Sequence, residues 1–346
     1  MSESVVTREG VRGQRPGREA SPAALRSGRR GGERTVVPDA EFASYYGRPI
    51  LKRAPWAASD IAGYFFLGGL AGASSVLAAG ADAAGRRHLA TVSKLGALGA
   101  IGVSTALLIH DLGVPSRFPH MLRVFKPTSP MNTGSWLLAV YGPSAGFAAL
   151  THVTRLFPRL GATSTSLAAL TGPAVATYTA VLLADTAVPT WHESHRELPF
   201  VFAGSSMCAA TGLALALLSP ARHGSVRTTA LLGGLIELAA SRRMRRRLGL
   251  LAEPYRRGRA GLLTLAAETL TLLGALTAPT ARTRKAGLLC GGSLLLGSAL
   301  TRFAVLEAGR ACADDPKYTV LPQRRRKEAE TREESPPEMA PPLGLS

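Results

Sequence analysis

Apolar residues run through this chain in long blocks separated by short polar breaks. Four blocks contain no Lys, Arg, Asp or Glu: residues 61–81, 127–151, 160–184 and 198–221. A hydrocarbon core of about 30 Å needs about 20 apolar residues in a helix, whereas buried helices of soluble proteins rarely stay apolar for more than about a dozen. The pattern therefore predicts an all-α, polytopic membrane protein. Eight transmembrane helices are expected, at about Ser59–Ala81, Thr91–Ile109, Ser135–Phe157, Ser164–Leu183, Pro199–Leu218, Val226–Ala240, Gly261–Leu276 and Ala286–Leu306. They make a transmembrane domain over residues 59–306. Residues 39–58 form a juxtamembrane segment whose Tyr45, Tyr46 and Trp56 suit the membrane interface. A basic tail over 1–38, rich in Arg, Gly, Glu and Ser, is expected to be disordered, and residues 307–346 form a polar C-terminal tail.

Charge refines this picture. Residues 1–55 hold eleven Lys/Arg, and 307–346 hold seven beside eight acids. A formal net charge of +18 invites a nucleic-acid reading, but basic residues flanking spans follow from membrane topology alone, and no soluble module accompanies them. No nucleic-acid partner is expected; the bilayer is. An even number of spans puts both termini on one side, whose loops carry twelve Lys/Arg, eight of them between Arg242 and Arg259. With Arg48, Lys52, Arg53, Arg310 and Lys317 added, that side reads as cytoplasmic, and the membrane as the cell's inner or plasma membrane. The first fifty residues have no apolar core of a signal peptide.

Small residues crowd the spans, most densely in GGLAGASS, where Gly68 and Gly72 stand at the spacing that lets helix backbones approach closely. No internal repeat is visible. Cys208, Cys290 and Cys312 are far apart and form no C-x-x-C pair, so the chain is expected to hold no iron–sulfur cluster and no zinc. Haem needs two facing imidazoles. His110 ends the second helix, while His152 lies about 25 Å along the third towards the other face, and the remaining histidines fall in loops, so no haem is expected. No nucleophile elbow, phosphate loop or zinc helix occurs either.

Ionisable groups within or beside spans are the remaining chemistry, because burying them in a bilayer is costly. Asp185, Glu237 and Glu268 are candidates for a proton path, or else carboxylates paired with nearby arginines such as Arg242 and Arg243. His110 and Asp111 end the second helix, and Arg117, Arg123 and Lys126 follow in the loop. An imidazole at a membrane boundary can hydrogen-bond a quinone carbonyl and exchange a proton near neutral pH, with an adjacent carboxylate fixing its tautomer. The plainer alternative is a histidine capping the helix C-terminus.

Four stretches carry a family resemblance: YYGRPILKRAPW, GYFFLGGLAGASS, IHDLGVPSRFPHMLRVFKPTSPMNTGSW and RFAVLEAGRACADDPKYTVLPQR. Over about residues 40–325 the chain resembles the NrfD/PsrC family, the integral membrane subunits of polysulfide-reductase-like molybdopterin and iron–sulfur oxidoreductases. The resemblance implies eight helices in two four-helix bundles without haem or metal. It also implies a quinone, taken as menaquinone, and two partners: an iron–sulfur electron-transfer subunit and a molybdopterin catalytic subunit. Within the long motif it points to His110, Asp111, Arg117, Arg123, Lys126, Ser129 and Trp136 as the quinone site and partner-docking loop. A transporter with a carboxylate pathway, or a purely structural membrane anchor, would share the same hydrophobic pattern.

Overall fold

The computed structural model describes residues 5–7, 10–12, 50–51, 56–112 and 114–324. Tyr45, Tyr46, Arg48, Lys52, Arg53, most of the 1–38 tail and everything beyond residue 324 lie outside the described residues. Within the tail, Val5–Thr7 (β1) and Gly10–Arg12 (β2) pair antiparallel, with Val6 opposite Val11.

The remainder is helical. The helices are α1 (Ala58–Ala83), α2 (Arg87–Asp111), α3 (Pro130–Thr154), α4 (Pro158–Ala184), a single turn α5 (Pro189–His192), α6 (Leu198–Leu217), α7 (Gly224–Leu248), α8 (Gly258–Thr277) and α9 (Arg284–Asp314). Two 3-10 segments, Pro115–Leu122 and Gly249–Tyr255, lie in the longer connections. Prolines open α3, α4 and α5, where the missing N–H costs nothing.

All eight long helices sit where the apolar pattern puts them, but they do not all qualify as spans. Six are long and apolar enough to cross a membrane: α1, α2, α4, α6, α8 and α9. The expected third and sixth spans, α3 and α7, fall short. In α3 the apolar run is diluted by Asn132, Thr133, Ser135, Pro143, Ser144 and His152. In α7 only residues 228–241 separate Arg227 from Arg242, about 21 Å of helix, and Glu237 interrupts them. Helix α7 nevertheless continues to Leu248, because arginine is a good helix former and a cation is favoured at a helix C-terminus.

Packing follows one scheme twice. Helices α1 and α2, α2 and α3, α3 and α4, and α1 and α4 pack together; α6 to α9 repeat this order, and α1 also meets α6 and α9. In each set the first and fourth helices cross at glycines. A Cβ on Gly72 of α1 would lie 2.2 Å from the carbonyl oxygen of Gly172 in α4, and one on Gly291 of α9 2.4 Å from that of Gly212 in α6. Only glycine permits such contact. Gly68, by contrast, has ordinary room, 3.5 Å from Ser104 Oγ.

The two ends of the helices differ. At one end, Arg86 Nη1 donates to Ser225 Oγ at 2.5 Å and Arg284 Nη1 to the Leu218 carbonyl at 3.2 Å. The other end, which carries His110, is closed by the connections. Trp191 is fully buried there: it donates Nε1 to the Val305 carbonyl at 2.8 Å and stacks on Trp56 with 6.1 Å between ring centroids. Thr190 Oγ1 donates to the Leu251 carbonyl at 3.2 Å, tying α5 to the segment after α7.

Candidate functional site

The end of α2 meets the start of α1. His110 Nδ1 lies 2.7 Å from Asp60 Oδ2, and the Asp60 side chain is 14% accessible against 79% for the imidazole. Asp111 does something else: its Oδ1 accepts from the backbone N–H of Ala57 at 3.1 Å. That N–H is one of the orphan donors that every helix start leaves open. Two consecutive residues of α2 therefore bind the first turn of α1 in two ways, one through a side chain and one through backbone. The partner of His110 is thus Asp60 rather than its sequence neighbour. Asp60 escapes a sequence reading because it stands fifty residues away in the first turn of an otherwise apolar helix. An acid there also complements the helix dipole.

Beyond Asp111 the loop is held by α3. Asn132 Nδ2 donates to the Met121 carbonyl at 2.8 Å, and its Oδ1 accepts from the Lys126 N–H at 2.6 Å. Trp136 Nε1 donates to the Val124 carbonyl at 3.3 Å, and its ring meets Phe125 edge-on at 6.1 Å. Trp136 thus positions the loop, and Asn132, absent from the sequence candidates, does so with two bonds. Arg123 and Lys126 are exposed, and Ser129 is the residue before α3 without a side-chain cap. The side chain of Arg117 lies outside the described residues.

The carboxylates separate. Asp185 is exposed at the end of α4. Glu237 of α7 is buried, its Oε1 accepting from Thr301 Oγ1 at 2.6 Å while Oε2 has no partner among the described residues. Glu268 of α8 pairs with Arg245 Nη2 at 2.5 Å and accepts from Ser241 Oγ at 3.2 Å. Glu237 and Glu268 nevertheless line one small cavity, with Ser241, Tyr255 and Thr301 between them.

Two buried cations, Lys94 and Arg302, were not legible as candidates, and His152, weighed only as a haem ligand, belongs with the first of them. Lys94 of α2 is 6% accessible, its Nζ 2.6 Å from Asp82 Oδ2 and 3.4 Å from His152 Nδ1. His152 Nε2 in turn meets Thr91 Oγ1 at 2.8 Å, so this histidine belongs to a polar cluster at the end opposite His110. Arg302 of α9 is fully buried. Its Nη2 donates to Ser206 Oγ at 2.9 Å and to the Phe202 carbonyl at 3.0 Å, and its guanidinium lies 3.7 Å from the Phe202 ring centroid.

Around the His110 end, ion pairs lock the connections. Arg247 grips Glu197 with Nε at 2.9 and 3.0 Å and Nη2 at 2.7 Å, and holds that carboxyl below the usual glutamate range. Lys317, 3.0 Å from Glu253, acts likewise on the Glu253 carboxyl, with Arg257 beside it. Arg242, Arg243 and Arg246 line an open basic surface on α7.

Among the described residues no group of three or more His, Cys, Asp or Glu could hold a metal ion. The family model described as "Polysulphide reductase, NrfD" matches residues 51–252, which takes in α1 to α7 and the His110 loop. No curated protein matches the chain.

Proposed function

The chain belongs to the NrfD family, and from that premise we propose that it is the quinone-interacting membrane subunit of an oxidoreductase complex. It would pass electrons between the quinone pool and an iron–sulfur partner serving a molybdopterin catalytic subunit, where the substrate chemistry resides. It is an integral membrane protein with several apolar helices. On this reading all eight long helices cross the plasma membrane as two four-helix bundles. The Arg-rich end of α7 supports placing the His110 face and both termini in the cytoplasm.

The observation that carries the reading is the His110–Asp60 pair. A quinone supplies two-electron, two-proton chemistry, and the chain must hold one carbonyl and deliver protons to it. Asp60 accepts from Nδ1–H, which leaves Nε2 as the exchanging nitrogen. That nitrogen belongs to a largely exposed ring at the end of an apolar helix, where both a quinone head and an aqueous proton source have access. Asp111 fixes the start of α1 and so the position of Asp60. Exposed Arg123 and Lys126 suit an acidic docking partner, and the prolines of the loop leave few bare backbone donors. Menaquinone is the quinone to try first.

His110→Ala should lower quinone-coupled turnover about 10²- to 10⁴-fold, the usual contribution of a positioned acid–base group, with the complex still assembling. Quinone reduction at the wild-type rate in that variant would remove His110 from the mechanism.

A second reading, proton translocation, is favoured by the shared cavity of Glu237 and Glu268. In proteoliposomes it requires proton uptake coupled to turnover that Glu237→Gln removes while electron transfer persists. Asp185, exposed at the end of α4, would then serve only as an entry group.

A further inference from the structure

A cavity of about 530 Å³ opens between α1, α4, α6 and α7 in the half of the molecule away from His110. Its size is that of an ordinary ligand pocket. On α1 it runs from Ala84 to Ala73, about 16 Å at the helical rise, which is one leaflet of a hydrocarbon core. Val76, Leu77, Leu89 and Met207 give it apolar walls. Four of the five hydroxyls lining it are already spent: Thr177, Ser206, Thr211 and Thr229 donate to the carbonyls of Pro173, Phe202, Met207 and Ser225 at 2.7–2.9 Å, and the fifth, Ser225 Oγ, accepts from Arg86. A ring carrying carbonyls would find few donors, whereas an alkyl chain needs none.

The mouth is different. Arg86, in the connection between α1 and α2, lines it and is fixed across it by the bond to Ser225 Oγ. That bond is to a neutral group and does not itself neutralise the guanidinium. Among the described residues no carboxylate lines the cavity or pairs with Arg86, and the exposed Arg87 adds a second cation beside it.

We infer that this cavity binds an anionic phospholipid, with an acyl chain between α1, α4 and α6 and the phosphate at Arg86. A cation at headgroup level above an apolar cleft one leaflet deep selects for net negative charge on the head. The site is independent of the His110 pair, which lies at the other end of the helices.

The full chain, purified in mild detergent and delipidated, is reloaded with phosphatidylglycerol, phosphatidylcholine or menaquinone, and the bound molecules are counted by native mass spectrometry. Wild type should retain phosphatidylglycerol over phosphatidylcholine. Arg86→Gln should reduce that preference about fivefold, the worth of one basic residue at a membrane surface. Gly80→Trp should lower retention of both lipids, because a Cβ at Gly80 meets nothing within 4 Å and the new ring enters the cavity. Equal retention of the two lipids by wild type overturns the proposal. So does an unchanged preference in Arg86→Gln, or menaquinone displacing the lipid in a way that Gly80→Trp blocks. Should Gly80→Trp lose its fold, the surface variant Arg86→Gln still decides.

Discussion

At the scale of residues, Asp60 and Asp111 divide a task that adjacency alone would give to Asp111. Asp60 orients the imidazole, while Asp111 serves the backbone of Ala57. Asp60→Asn should therefore slow quinone-coupled turnover by about 10- to 100-fold, the loss of one hydrogen bond to a charged group expressed as a rate. Asp60→Glu should recover part of it. Asp111→Asn, which keeps an acceptor for the Ala57 N–H, should cost little in the same assay. Turnover that falls more with Asp111→Asn than with Asp60→Asn would reverse the assignment. His110 and the loop cations could be read from the sequence because they stand together where an apolar run ends. Asp60, Lys94 and Arg302 could not. Each sits in or beside an apolar helix, and its partner lies on another helix, so only packing shows what the charge is for.

At the scale of elements, hydrophobic blocks located all eight long helices but could not say which of them qualify alone as spans. The limit is physical: periodicity marks where a chain turns helical, whereas crossing a bilayer also depends on unbroken apolar length. Helix α7 shows the difference, since its arginines extend the helix while shortening its apolar part. The small-residue signal was legible as a contact but not as to its partner. Of Gly68 and Gly72, it is Gly72 that touches the backbone of α4. Gly72→Val should destabilise the fold by about 1–3 kcal/mol, the cost of overpacking, read as a lower midpoint in denaturing detergent. Gly68→Ala should leave that midpoint unchanged. Equal effects of the two would mean that the crossing is looser than drawn.

At the scale of the whole molecule, the His110 end is held by charge where the interior is held by small-residue packing. The grip of Arg247 keeps the Glu197 carboxyl depressed, so its contribution to stability is present in full above the ordinary glutamate value. It is lost as pH falls through the lower folded value. Melting temperature should therefore drop on acidification in wild type, and Glu197→Gln should be less stable near neutrality by about 1–3 kcal/mol with a flatter acid limb. A Glu197→Gln chain with the wild-type acid dependence would place the titrating group elsewhere. The Arg247–Glu197 tie was not visible in the sequence, because it joins residues fifty positions apart across separate connections.

The paired glycine crossings also bear on how the chain is made. Each set of four helices closes only when its first helix meets its fourth, Gly72 with Gly172 and Gly212 with Gly291. A ribosome adding about 5–20 residues per second needs roughly 5–20 s between the first pair. For that interval α1 waits in the membrane with its Gly72 face not yet met by α4, and the second set repeats the wait until Gly291 has been made. The nascent chain is thus most open to wrong helix partners at two predictable moments, and a chaperone or insertase that shields small-residue faces would act then.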